Sequence, residues 1–138
     1  MKQIFICIIA FMFCVHETIA QDNERLKVYS DIPDVLYGTA SYYANKFEGR
    51  KTANGEIFSQ KKMTAACNVL PLGTWIRVTN LYNGKSVVVK INDRLHYRMK
   101  RVVDLSRAAA KKIGSTGLGL TKVKVEPLGK NPPAKVHK

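Results

Sequence analysis

Two carboxylates stand where this chain could do acid–base chemistry. Glu56 closes the run Thr52-Ala53-Asn54-Gly55-Glu56, and Asp93 sits in Ile91-Asn92-Asp93-Arg94, just after a strongly apolar segment. The chain carries 10 Asp plus Glu against 23 Lys plus Arg. A carboxylate at the end of a buried strand in so basic a chain is a candidate for moving a proton or steadying a positive charge. The competing readings are structural: Asp93 as a turn carboxylate accepting backbone N–H groups, and Glu56 as a solvated loop charge. Arg94, next in sequence, is placed to pair with Asp93 if its head group turns that way. Asp104 precedes Ser106 and a helix-forming run, where a carboxylate is favourable without any catalysis. His96 reads as a surface or core-edge residue.

The bulk composition narrows the partners. At 138 residues the chain has room for one domain, and 46% hydrophobic with 24% charged residues is ordinary for a globular protein. A net charge of +13 favours a polyanionic partner. Lys2, the apolar run Ile4 to Val15 and the small residue Ala20 have the layout of a secretory signal peptide over residues 1–20. The apolar run is too short to span a bilayer, so no membrane span is expected after cleavage. Cleavage removes Lys2 and Glu17 together and leaves the +13 intact. Phe11-Met12-Phe13 lack the small side chains that lipidation at Cys14 would want. The expectation is an exported chain in the periplasm or cell envelope, with the wall rather than nucleic acid as partner. Cys67 is then the remaining thiol and cannot form an internal disulfide. It reads as a small buried side chain, a nucleophile or an intermolecular bridge. A monomer is expected, with no metal and no cofactor.

The positioning elements follow from periodicity. Residues 21–35 are polar and read as a linker. A first strand is predicted at 36–43, followed by a loop over 44–62 rich in Asn, Gly and Lys. Met63–Cys67 is a short strand. Trp75, Arg77 and Thr79 alternate with Ile76 and Val78 as in a half-buried strand. Asn83-Gly84 predicts a type I′ hairpin turn, and Lys85–Ile91 is the returning strand, with Val87-Val88-Val89 buried on both faces. The hairpin therefore delivers Asp93 at its far end. Val102–Leu105 is another strand. Ser106 caps a helix over 108–113 that Gly114 stops, and a last strand covers 120–126. A basic, Pro-rich tail follows Pro127. Six short strands and one short helix favour an all-β fold, a small closed barrel.

These stretches together resemble the RlpA-like (rare lipoprotein A) proteins. The likeness is carried by Gly38-Thr39-Ala40-Ser41-Tyr42-Tyr43, Phe47 through Glu56, Met63-Thr64-Ala65-Ala66, Leu70-Pro71-Leu72-Gly73, Arg77 through Leu81, Asn83 through Val87, Asn92-Asp93-Arg94 and Asp104-Leu105-Ser106. It covers residues 37–126. The resemblance implies a six-stranded double-psi β-barrel over 36–127 and a lytic transglycosylase of bacterial peptidoglycan. Such an enzyme cleaves the MurNAc-β-1,4-GlcNAc bond of glycan strands, here expected to be free of stem peptides, and leaves 1,6-anhydro ends. It implies functional roles for Glu56 and Asp93: Asp93 is taken as the acid/base and Glu56 as the group that orients substrate or stabilises positive charge, with the two roles open to exchange. Three departures stand out. The family's usual His after Thr-Ala-Ala is Cys67, its Arg-Gly-Pro is Arg94-Leu95-His96, and too few residues follow 126 for the sugar-binding SPOR domain of many relatives.

On that basis Tyr43, Arg50, Asn54, Arg94 and Cys67 are the expected substrate contacts. Tyr43 is assigned to the groove and Trp75 to the core. Lys46, Lys51, Arg98, Lys100 and Arg101 join Arg50 and Arg94 as candidates for holding the lactyl carboxylates of a peptide-free glycan. The rival reading is a non-catalytic, expansin-like wall-binding module.

Overall fold

The computed structural model describes Gln21 and residues 31–134. The signal peptide expected over 1–20, most of the expected linker and the last four residues of the expected tail lie outside the described residues. Among the described residues no helix is long and apolar enough to cross a membrane.

Six strands build the domain: β1 (Leu36–Tyr42), β2 (Thr64–Ala66), β3 (Trp75–Asn80), β4 (Ser86–Asp93), β5 (Val103–Leu105) and β6 (Thr121–Gly129). One helix, α1 (Arg107–Lys112), lies between β5 and β6. The strands close in the order β1-β5-β2-β4-β3-β6. β1 runs parallel to β5 and β2 parallel to β4, while the other pairings are antiparallel. Alternation fills the interior: Ile76 and Val78 of β3, Val89 and Ile91 of β4, Val103 and Leu105 of β5, and Val123 and Val125 of β6 are fully buried. Closure leaves each of these six strands with a partner on both sides.

The sequence placed the elements well and some details less well. Val88 is only half-buried between buried Val87 and Val89, so β4 buries one face and not two. Trp75 is half-buried on the face opposite Ile76 and Val78, outside the core assigned to it. The hairpin turn is not type I′. No residue other than Gly has a positive φ among the described residues, and Gly84 takes φ 73° alone. Asn83 instead spends its side chain, accepting from Lys85 N at 2.9 Å and donating to Ile113 O at 3.0 Å. Residues 81–84 form a four-residue loop closed by Gly84 N to Asn80 O at 2.8 Å. β6 runs past the expected end to Gly129. Its Pro127 lies opposite Ile76, where the register shifts between Trp75 and Ile76. Such an irregularity tolerates a residue with no N–H.

α1 begins and ends as its sequence directs. Ser106 Oγ accepts from Ala109 N at 3.3 Å, and Gly114 leaves the helix at φ 67°. The loop over 44–62 is tightly folded. It holds a 3-10 turn at Asn45–Phe47 and a Lys51–Ile57 bridge. Phe58 anchors it in a small apolar cluster with Tyr43, Ala66 and Leu95.

Candidate active site

Asp93 is the last residue of β4, and three donors reach its carboxylate. Oδ1 accepts from Ala53 N and from Arg94 N, both at 2.9 Å. Oδ2 accepts from the Tyr43 hydroxyl at 2.6 Å. Each donor comes from a different element: the Thr52–Glu56 loop, the exit of β4, and the residue after β1. Cys67 N donates to the Asp93 carbonyl at 3.1 Å and ties the fourth neighbour, the exit of β2, to the same place.

Tyr43 is buried. Its ring stacks on Phe58 with centroids 4.2 Å apart and meets Phe47 edge-on at 5.7 Å. Burial raises its pKa well above the ordinary 10, and the hydrogen bond to Asp93 and the charges of Asp93 and Asp104 push the same way. The hydroxyl therefore stays a donor across the whole range in which an enzyme works. One face of the ring is already covered by Phe58, and the hydroxyl is spent on Asp93.

Glu56 is held by the same loop. Its Oε1 accepts from Asn54 Nδ2 at 2.8 Å and its Oε2 from Asn92 Nδ2 at 3.2 Å. Asn54 Oδ1 in turn accepts from Thr52 Oγ1 at 2.6 Å and Glu56 N at 3.1 Å. The bond from Asn92, then that from Asn54, lowers the Glu56 pKa below its ordinary 4.5, with help from Lys90 and Lys62. Asn92 is the residue before Asp93, so one side-chain bond links Glu56 to the neighbour of Asp93.

A hollow of about 550 Å³ opens over Asp93. Tyr42, Tyr43, Ala44, Phe47, Leu95 and Met99 give it apolar walls, and Lys46, Arg94, His96 and Arg101 bring cationic or titratable groups. Its carboxylates are Asp93 and Asp104; Glu56 stands outside it, behind Asn92. Both oxygens of Asp104 are engaged by Arg101, Nε to Oδ1 at 2.8 Å and Nη2 to Oδ2 at 3.0 Å. This pairing raises the Arg101 pKa further.

The remaining expected contacts fall in distinct places. The Arg94 guanidinium donates to the carbonyls of Cys67 and Leu70. It lines the hollow but does not pair with Asp93; two backbone carbonyls claim it first. The Cys67 side chain, expected to touch substrate, is fully buried and lies outside the hollow's lining; its backbone N–H and carbonyl bond to Asp93 and Arg94. Arg50 lies over the Phe47 ring at 5.5 Å and Asn54 is spent on the Glu56 loop. Neither lines the hollow, and neither do Lys51, Arg98 and Lys100. His96 Nδ1 accepts from Arg98 N at 3.3 Å and its ring lies against Tyr97, which leaves it bonded to neither carboxylate.

Three residues of this neighbourhood drew little notice in the sequence: Asp104, which lines the hollow, Asn92, which bonds Glu56, and Phe58, which stacks on Tyr43. Asp104 did carry a signal: it is the polar middle of Val103-Asp104-Leu105, whose flanking residues are both fully buried. A charge in a three-residue strand must leave by the other face. Among the described residues no group of three or more His, Cys, Asp or Glu side chains is placed to hold a metal ion.

Comparisons with known proteins agree on one neighbourhood. A family profile described as "Lytic transglycolase" matches residues 36–125. The chain is 55% identical over 91 residues to the endolytic peptidoglycan transglycosylase RlpA of Pseudomonas aeruginosa (strain UCBPP-PA14), covering 66% of this chain and 27% of that protein. It is 50% identical over 91 residues to the Haemophilus influenzae protein of the same name, covering 66% and 32%. The Nostoc protein named probable endolytic peptidoglycan transglycosylase RlpA is 47% identical over 110 residues, covering 78% and 30%. The chain thus spans about a third of the length of these curated relatives. Among solved structures, an expansin of Clavibacter michiganensis superposes with TM-score 0.56 at 22% identity, covering 72% of this chain and 52% of that one. A Streptomyces papain inhibitor gives 0.55 at 21%, covering 70% and 96%. At those identities the structural likeness speaks for the fold, a double-psi β-barrel.

Proposed function

The chain belongs to the lytic transglycolase family of double-psi β-barrel proteins, and from that premise we propose that it is an exported endolytic peptidoglycan transglycosylase. Its substrate is the glycan strand, cut at the MurNAc-β-1,4-GlcNAc bond to leave 1,6-anhydro-MurNAc ends. The observation that carries this reading is Asp93, set in an apolar-walled hollow by three donors from three elements.

Asp93 serves as acid and then as base. As the C1–O bond breaks, its electron pair goes to the leaving oxygen, which takes a proton from Asp93. The muramic C6 hydroxyl then attacks C1 and returns its proton to Asp93, so the cycle closes without water. Oδ1 is filled by two backbone donors. Oδ2 carries the Tyr43 bond and keeps a lone pair for the travelling proton. Glu56, through Asn92 and the backbone bond from Ala53 that its loop provides, fixes where Asp93 points. Tyr42, Phe47 and Met99 suit the apolar faces of sugar rings. Lys46, Arg94 and Arg101 suit lactyl carboxylates, which makes strands free of stem peptides the fitting substrate.

The test is product analysis on purified sacculi. The protein is expected to release fragments one water lighter than hydrolysis would give. Asp93→Asn is expected to cut release by at least 100-fold while binding to insoluble wall survives. Full release by Asp93→Asn overturns the assignment. Wall retention by the wild type with no new chain ends favours instead a non-catalytic wall-binding module.

A further inference from the structure

We infer that the face built by Leu81, Tyr82, Leu118 and Leu120 is a docking surface for an anionic phospholipid bilayer, separate from the hollow over Asp93.

Three segments meet there. The loop after β3 brings Leu81 and Tyr82, the loop after α1 brings Leu118 and Leu120, and the end of α1 adjoins the first of these loops. Hydrogen bonds fix the junction. Ile113 O, at the end of α1, accepts from Asn80 Nδ2 at 2.8 Å and from Asn83 Nδ2 at 3.0 Å, and Leu81 N donates to Lys122 O at 3.0 Å. The loop after α1 is tied as firmly. Ser115 N reaches Ala110 O at 3.0 Å, Leu120 N reaches Leu118 O at 2.8 Å, and the Tyr42 hydroxyl donates to Thr116 O at 3.1 Å. This ordered backbone nevertheless turns its apolar side chains outward: Tyr82 is 88% exposed, Leu118 63%, Leu120 57% and Leu81 50%. Gly117 and Gly119 flank Leu118, and both have open space where a side chain would stand. A single exposed leucine is ordinary, but four large apolar side chains around one hollow of about 400 Å³ mark a contact surface.

Charge and side-chain type name the partner. Lys85, Lys111, Lys112 and Lys122 are exposed on the same three segments. The sequence holds no Asp or Glu between 57 and 92 or between 105 and 125, so the segments that build this face carry cations alone. A second copy of the chain would bring the same lysines against these and be repelled. Three of the four apolar groups are leucines, which offer a sugar no flat ring face, so a glycan gains little there. A bilayer suits every group at once. The leucines enter the acyl boundary, Tyr82 sits at headgroup depth with its hydroxyl toward water, and the lysines meet anionic headgroups. No residue that lines this face also lines the hollow over Asp93, so docking need not cover that carboxylate.

Sedimentation with vesicles tests the assignment, using phosphatidylethanolamine with phosphatidylglycerol beside phosphatidylcholine alone. The full chain is expected to bind the anionic vesicles, to bind the neutral ones far less, and to come off with salt. A double variant, Leu118→Ser with Leu120→Ser, is expected to bind about 10-fold more weakly or worse, while its melting temperature and its retention on insoluble wall stay as in the wild type. Tyr82→Trp adds a local readout. Its emission is expected to move to shorter wavelength on anionic vesicles, and that of the wild type to stay put, because the chain's single tryptophan, Trp75, lies at the other end of β3. Anionic-vesicle binding that is equal in the double variant, or that leaves the Tyr82→Trp emission unmoved, overturns the assignment. A double variant that loses wall retention but not vesicle binding overturns it in favour of a glycan surface. One that keeps vesicle binding and only dissociates a dimer overturns it in favour of a second copy.

Discussion

Tyr43 shows how one hydroxyl can matter more than the ring that carries it. The phenol is buried against Phe58 and reaches Asp93 Oδ2 at 2.6 Å. Removing only the oxygen keeps the stack and deletes one bond to a charged group. Tyr43→Phe is expected to cost about 1.5–3 kcal/mol of stability, read by denaturant unfolding, and to lower kcat at least 10-fold with KM little changed. A variant with wild-type kcat would show that Asp93 needs no such support. The residue scale is also where the sequence was hardest to read. A Tyr after a strand of tyrosines and small residues suggests a groove, and Tyr43 does line the hollow. Its partner Phe58, however, lies in a loop with no periodicity to announce it. Arg94 follows Asp93 in sequence, but its head group reaches the carbonyls of Cys67 and Leu70 instead.

At the scale of the element, the Thr52–Glu56 loop is a small machine of hydrogen bonds. Thr52 N donates to Glu56 O at 2.8 Å, Gly55 N to Thr52 O at 3.0 Å, and Asn54 N to Asn92 O at 3.2 Å. Glu56 holds the outer end through Asn54 and Asn92, which is why its pKa falls below 4.5. A lowered carboxylate pKa adds stability that is fully present above the ordinary value and is lost as pH drops through the folded one. The loop's support is therefore expected to be complete at neutral pH and to fail under acid, below the ordinary Glu range. Amide exchange at Thr52, Asn54 and Gly55 reports it, and Glu56→Gln is expected to flatten that pH dependence. Equal acid sensitivity in both proteins would remove Glu56 as the cause. The loop motif was legible as a functional stretch, but its target was not. No local pattern says that Ala53 N meets Asp93. The Asn83-Gly84 turn is the counterpart. Its position was readable from two residues, but its class was decided by Asn83 reaching Ile113 on a distant helix end.

For the barrel as a whole, alternation in the sequence identifies most strand positions and most buried positions. It says nothing of the order β1-β5-β2-β4-β3-β6, because two of the pairings are parallel and join segments far apart. Beside the seam between β1 and β5 there is no room for a side chain on Gly38. A Cβ on Gly38 would lie 2.9 Å from Val102 Cβ, closer than real atoms approach. Gly38→Ala is expected to cost about 1–3 kcal/mol and to lower the denaturant midpoint with little change in its slope. An unchanged midpoint would mean that Val102 yields freely and that the seam is looser than its spacing implies.

The parallel seams have a kinetic side. Tyr43 and Asp93 are 50 residues apart in the chain, and Asp104 sits on the strand that β1 must find to close the ring. Chains dominated by such distant pairings fold slowly, because the entropy of bringing the ends together is spent before contacts repay it. No hairpin or helix formed early holds any two of these three residues together. The surroundings of Asp93 are therefore assembled only when segments far apart in the chain have met.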